Sequence, residues 1–351
     1  MSHRTHSTIV LVAACLLGLG LAHAVAQQEQ AGGKRPSFQG TGPPVGLKPL
    51  TDMTANDRYK DQDGGLYGGG GNKPPKKHLQ AALQQAKLIR PLDDEGRPSE
   101  EGKIGFVSIG MSNTTQEFSA FVRLANADPA KSPKVVIVDG AQGGMDARAW
   151  ADPGSPSRPG TRNPWEVLDE RLKRMGVTDN QVQVAWVKQA RITPGTLGEF
   201  PRHAEEMKGH VVTIVNKLKH RFPNLRIAYL SSRIYGGYAK TPLNPEPYAY
   251  ESAFTVRWLI QDQIKGDPKL NYDSEKGAVK SPLLLWGPYL WADGQQGRKA
   301  EDLVWRPEDL AGDGTHPSDS GRRKVAELLL RFMKTDPTAK TWYAAGGRRD
   351  E

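Results

Sequence analysis

The sequence predicts an α/β protein: a five-stranded parallel sheet covered by helices on both faces. Five apolar runs, at 104–109, 135–138, 182–187, 227–230 and 283–286, are short and rich in Val, Ile and Leu. Strands buried on both faces have that composition. Segments of helical character separate them, at 115–126, 164–175, 201–221, 250–265 and 319–335. Strands alternating with helices build a parallel sheet, and ligands bind beyond the carboxyl ends of its strands.

The helical segments differ in how plainly they announce themselves. After Pro201, Met207, Val211, Ile214, Val215 and Leu218 recur at three- and four-residue steps, which puts them on one face of a helix. A further helix over 78–89 precedes the first strand, with Leu79, Leu83, Ala86 and Leu88 near one face. No internal repeat is visible.

The chain has 351 residues, 37% hydrophobic and 25% charged, with eight Trp, ten Tyr and eight Phe. That composition supplies a core and excludes a fibrous or wholly disordered protein. The 38 Gly and 26 Pro also require much loop. The formal net charge is +9, but the basic residues are scattered, with clusters at Lys76-Lys77, Arg322-Arg323-Lys324 and Arg348-Arg349. No nucleic-acid motif accompanies them, so a solvated basic surface is expected, with attraction to anionic polysaccharide as the partner chemistry it suits.

Residues 1–26 read as an export signal. Arg4 precedes an apolar run from Ile9 to Leu21, and Ala22-His23-Ala24 and Ala24-Val25-Ala26 both offer small residues for cleavage. A secreted or periplasmic protein is therefore expected, with no transmembrane segment in the mature chain. A competing reading is a lipoprotein anchored through Cys15, since Val12-Ala13-Ala14-Cys15 resembles a lipobox; Cys15, however, sits inside the apolar run rather than at its end. Cys15 is the only cysteine, so the mature chain is expected to hold no disulfide, no cysteine-ligated zinc and no cysteine nucleophile. Residues 27–45 are polar and Gly/Pro-rich, a disordered linker by composition. A Gly-rich arm and helix follow over 46–102, either packed or free, then a domain over 103–335 and a tail over 336–351.

Two places carry the residues for chemistry. The first strand runs into Gly110-Met111-Ser112-Asn113-Thr114 and then a helix, so Ser112 stands at the carboxyl edge of the sheet beside a helix N-terminus. Near the other end, Asp313-Gly314-Thr315-His316-Pro317-Ser318 precedes the last helix. A serine nucleophile needs a base, and the base needs a carboxylate that fixes its tautomer. Asp313 and His316, three apart in a Gly/Pro-shaped turn, meet both needs from one loop. Five histidines lie beyond the leader: His78, His203, His210, His220 and His316. Only His316 has this setting. His203 and His210, seven apart, are read as a solvated helix face rather than a metal pair.

These two blocks resemble those of the SGNH hydrolase superfamily, also called GDSL esterases. The nearer likeness is to the carbohydrate-esterase and sialate O-acetylesterase branch. The resemblance covers residues 103–335 and implies a three-layer α/β/α sandwich, flavodoxin-like in outline, around a five-stranded parallel sheet. It implies that Ser112 is the nucleophile, His316 the base and Asp313 its orienting partner, with no cofactor. The second block places an oxyanion-hole glycine in Asp139-Gly140-Ala141-Gln142-Gly143-Gly144: Gly144, with Gly143 as the alternative. The third block normally supplies Asn; here Ala185-Trp186-Val187-Lys188-Gln189 departs from it, and the branch's Trp-x-Gln arrangement is stretched by one residue. Gln189 takes the donor role in this reading.

After the fourth strand, Arg233 and Tyr235, followed by Glu246 between two prolines, suit a sugar or carboxylate pocket as well as they suit loop packing. The long segment from Gly287 to Gly312, with Trp291 and Trp305, is expected to form a wall or a lid. The expected activity is hydrolysis of a carboxylic ester, with O-acetyl groups on a glycan as the substrate class implied by the resemblance. An α/β-hydrolase is disfavoured because Thr114 replaces the second Gly of G-x-S-x-G. A lipase or thioesterase on the same fold and a non-catalytic glycan-binding relative remain the alternatives.

Overall fold

The computed structural model describes residues 44–155 and 160–346. The export signal, Cys15 and nearly all of the proposed linker lie outside the described residues. Within them, the elements in chain order are α1 (Lys76–Leu88), β1 (Ile104–Gly110), α2 (Ser112–Ala127), β2 (Val135–Val138), α3 (Ala147–Ala151) and α4 (Pro164–Arg174). Then come β3 (Val182–Lys188), α5 (Arg202–Arg221), β4 (Ile227–Leu230), α6 (Tyr248–Lys265), β5 (Leu283–Trp286), α7 (Asp319–Thr335) and α8 (Lys340–Tyr343). All five expected strands are present.

The sheet has the order β2-β1-β3-β4-β5, and every adjacent pair is parallel. One helical layer groups α1, α2, α7 and α8; the other groups α3, α4, α5 and α6. The strands are buried almost throughout, which is why they read as unbroken apolar runs rather than alternating ones. Between the α2 layer and the sheet, Trp186 stacks on Phe118 at 5.5 Å, and Phe106 meets Phe118, Phe121 and Trp342 edge-on. Successive crossovers leave β1 in opposite directions along the sheet, so the switch point lies between β1 and β3. A ligand crevice belongs there.

The segment preceding α1 is packed. Val45, assigned to the linker from composition, donates its N–H to Asp293 at 2.8 Å, and Gly46 does so at 2.9 Å. Tyr59 donates to Glu251, Trp258 donates to Gln62, and Arg257 pairs with Asp63. These partners stand roughly 190–250 residues away, so no local sequence pattern announces them. Within the 336–351 tail, Trp342 and Tyr343 on α8 are buried, and Trp342 meets Phe106 edge-on at that end of the sheet. Among the described residues no helix is long and apolar enough to cross a membrane.

Candidate active site

β1 delivers Ser112 to the switch point. Gly110, its last residue, permits the approach: a Cβ there would lie 2.3 Å from Thr114 Oγ1 and 2.4 Å from the Lys188 carbonyl. Met111 is extended, α2 begins at Ser112, and no side chain caps the helix. The N–H groups of its first turn therefore stay available at the positive end of the helix dipole.

The loop before α7 brings the other two residues. Ser112 Oγ lies 2.8 Å from His316 Nε2, and His316 Nδ1 lies 2.5 Å from Asp313 Oδ2. Asp313 accepts only, so Nδ1 carries the proton and Ser112 donates to the bare Nε2. Asp313 Oδ1 also accepts from the Thr315 and His316 N–H groups, at 3.0 Å each. Burial pushes the Asp313 carboxyl up, but these bonds from His316 and Thr315 outweigh it and hold it below the usual carboxylate range. Asn113 steadies the loop from α2, donating to the Thr315 carbonyl at 2.9 Å.

Gly314 makes this turn possible. Its φ is +65°, and a Cβ would sit 1.8 Å from the Tyr238 carbonyl oxygen. Gly314→Ala is expected to cost more than the roughly 1–2 kcal/mol of a left-handed residue alone, since backbone must also move. The check is a lowered Tm together with reduced labelling of Ser112 by a phosphonate; an unchanged Tm would mean that the turn relaxes freely.

From the loop after β2, a Cβ placed on Gly143 would lie 3.9 Å from the Ser112 Cβ. Gly144 adopts φ +79° and closes the turn. Among the described residues, neither the Gly143 nor the Gly144 N–H has an acceptor. Asp139 braces this loop: it accepts from Ser108 at 2.7 Å, Thr115 at 2.5 Å and Ser119 at 2.8 Å, and Ser108 Oγ in turn accepts from Gly140 N–H. Gln189 follows β3, whose last residue, Lys188, is in register with Gly110. Its side chain is buried, and neither amide atom has a partner.

The remaining expected contacts divide. Arg233 is 4% exposed, and its guanidinium makes no hydrogen bond or ion pair among the described residues. Tyr235 is 1% exposed, packed between Tyr238 and Trp291. Glu246 is corrected from a substrate contact to an internal staple: it accepts from Gly236 N–H, Tyr250 N–H and Trp291 Nε1 at 2.7–2.9 Å. Burial pushes its carboxyl up to about 7 despite those donors. Trp291 and Trp305 are fully buried, and Arg298 donates to the Tyr289 and Trp291 carbonyls, so the 287–312 segment is packed into the domain at these residues. His203 is corrected as well: it is buried on α5, 2.7 Å from Glu251, not on a solvated face. A cleft of about 840 Å³ beside α1, lined by His78, Gln263 and Tyr272, holds none of the expected residues.

No protein-family model matches the chain, and no curated protein matches it. Solved structures that resemble it include a lipase from a goat rumen metagenome, 12% identical, with a TM-score of 0.33 over 65% of this chain and 97% of that one. An α/β hydrolase enzyme from the metagenome of Lake Arreo, Spain, is 16% identical, with a TM-score of 0.36 over 68% and 95%. An extracellular lipase from Streptomyces rimosus is 10% identical, with a TM-score of 0.30 over 64% and 99%. Likenesses this distant carry no argument about chemistry, which rests on the residues at the sheet edge.

Proposed function

We propose that the protein is a serine hydrolase of the SGNH type that cleaves carboxylic esters. The observation that carries this reading is the unbroken hydrogen-bonded chain from Ser112 through His316 to Asp313. In it, Ser112 Oγ attacks the ester carbonyl as His316 Nε2 takes its proton. His316 then returns that proton to the departing alkoxide, leaving an acyl-Ser112 and a free alcohol. Water, deprotonated by His316, resolves the acyl-enzyme to the carboxylic acid and regenerates the serine.

The oxyanion is held in this reading by the Ser112 N–H, a glycine N–H of the 143–144 turn and the Gln189 amide. The unused N–H groups and the unpartnered buried amide support those roles. Export follows from the signal-like leader, and a glycan O-acetyl group is the substrate that the sequence resemblance favours. The test is covalent labelling of the mature protein by a fluorophosphonate, followed by turnover of esters graded in acyl length and of acetylated glycans. No labelling and no turnover would sink the proposal; preference for long acyl chains would replace the glycan esterase with a lipase.

Gln189 decides between a working enzyme and a glycan-binding relative. Gln189→Ala is expected to lower kcat by about 10²–10³-fold with KM little changed, because the contact strengthens only as charge develops. Gln189→Glu should be at least as damaging, since a carboxylate donates nothing and repels the oxyanion. Near-full kcat in the Glu variant would remove Gln189 from the site.

A further inference from the structure

The two loops that would hold the oxyanion are joined by a buried carboxylate that the proposed mechanism does not use. Asp146 stands two residues beyond Gly144 and is fully buried. Its Oδ2 accepts from Arg191 Nη1 and, at 3.1 Å, from the Ile192 N–H; its Oδ1 accepts from the Ala149 N–H, also at 3.1 Å. Arg191 stands two residues beyond Gln189 and is itself buried. The two backbones meet once more where the Ala147 N–H donates to the Ala190 carbonyl at 2.9 Å. Asp146 thus ties the chain just past the 143–144 turn to the chain just past Gln189.

Both loops are also tied to the strand and helix that carry Ser112. The Gly110 carbonyl, at the end of β1, accepts from the Gln142 N–H at 3.0 Å and from Trp150 Nε1 of α3 at 3.2 Å. Lys188, the residue before Gln189, accepts at its carbonyl from Thr114 Oγ1 at 2.7 Å, and its ammonium donates to Glu117 of α2, also at 2.7 Å. The residue before Gln189 is therefore held by α2 and the residues after it by Asp146. The Gln189 amide between them has no partner among the described residues, so these anchors set where it lies.

Helix capping does not account for Asp146, because Oδ1 alone caps α3. Nor does stability, since a buried ion pair rarely outperforms apolar side chains of the same volume. What the pair supplies is a fixed spacing between two loops whose donors must meet at one atom. Such donors act when they lie about 3 Å from the developing oxyanion, and a displacement of about 1 Å can cost about 10²-fold.

We propose that Asp146, through Arg191, sets the spacing of the oxyanion hole: a positioning residue that holds the 143–144 turn and Gln189 in register and never touches substrate. This inference rests on the serine-hydrolase reading and on the oxyanion roles given there to Gln189 and the turn.

The test is a double-mutant cycle in which Asp146→Asn, Gln189→Ala and their combination are measured for kcat, KM, Tm and phosphonate labelling. Asparagine keeps the shape of the carboxylate but cannot accept on both edges: one edge becomes NH₂, turned either toward the Ala149 N–H or toward Arg191 and the Ile192 N–H. Asp146→Asn is expected to lower kcat by about 10–100-fold, less than the loss of a donor outright, with KM within about threefold of wild type. In the Gln189→Ala background the same substitution should cost less than about fivefold, because only the 143–144 turn is left to misplace. A merely structural carboxylate would lower Tm and multiply its kcat loss undiminished onto that of Gln189→Ala. That outcome, or full kcat in a folded Asp146→Asn variant, overturns the proposal. Where Asp146→Asn does not fold, Asp146→Asn/Arg191→Gln, which leaves neither charge of the pair buried alone, enters the same cycle under the same criteria. Full kcat in Gln189→Ala with labelling intact would overturn the oxyanion role and this proposal together while leaving the serine chemistry standing. Wild-type protein that neither labels nor turns over esters would instead overturn the serine-hydrolase reading itself.

Discussion

Ser112→Ala is expected to reduce ester turnover by about 10⁴–10⁶-fold and to abolish phosphonate labelling, while the protein stays folded. Turnover should collapse because the other groups of the chain act only through the hydroxyl: His316 has no second acid to deprotonate at 2.8 Å. The fold should survive because, among the described residues, the hydroxyl makes only that one hydrogen bond, and the side chain is half-buried. Other serines at the sheet edge are poor substitutes. Ser108 donates to Asp139, and Ser231 donates to the Pro288 carbonyl while accepting from Trp186. Ser232 is buried with no base in contact. Labelling that persists in the alanine variant would show that a different serine reacts, and turnover within tenfold of wild type would remove Ser112 from the chemistry.

How much of this was legible in the sequence depends on the distance over which each feature is specified. The strands were legible because both faces are buried, so each is a short apolar run with sharp ends; β2, β4, β5 and α7 fall where the pattern puts them. Asp313 and His316 were legible because both belong to one turn, and Gly314 between them marks a backbone that only glycine adopts comfortably. The α2 start was set three residues late, since Ser112, Asn113 and Thr114 read as turn formers, although Asn113 and Thr114 donate to the Thr315 and Lys188 carbonyls of other segments rather than to their own helix and Ser112 meets His316.

The rest was hidden for a common reason. Glu117 and Lys188 are 71 residues apart, and each alone reads as a solvated charge. His203 looked exposed because its partner, Glu251, belongs to the next helix. Glu246, between two prolines beside several tyrosines, has the composition of a binding loop, yet its acceptors are filled by Gly236, Tyr250 and Trp291. Buried polar side chains find their partners through tertiary structure, and a single sequence shows the demand for a partner without naming it. Arg233 and Gln189 remain the informative exceptions, because burial without a protein partner is what a ligand-facing group requires.

Asp313→Asn should lower kcat by about 10⁴-fold, the scale of tautomer errors in serine triads. Asp313 uses both oxygens: Oδ1 accepts from the Thr315 and His316 N–H groups, and Oδ2 accepts from His316 Nδ1. An asparagine that keeps its oxygen on the two backbone donors turns its NH₂ toward Nδ1. The imidazole must then accept at Nδ1 and carry its proton on Nε2, where it donates to Ser112 and can no longer receive the serine proton. Rotating the amide to restore Nδ1–H places NH₂ against two backbone N–H groups in a partly buried turn, so the wrong tautomer is the cheaper arrangement. KM should change little, because the substrate does not contact Asp313 in this mechanism. Stability gives an independent reading. The carboxyl is held below its ordinary range, so its contribution is present above the unfolded carboxylate pKa and disappears as pH falls through the depressed folded value. The amide that replaces it takes up no proton in that range, so the Tm of the variant should fall less steeply than that of wild type as the buffer is taken from neutral into the acid range. A variant with kcat within tenfold of wild type, or with an unchanged acid slope of Tm, would show that Asp313 does not orient His316.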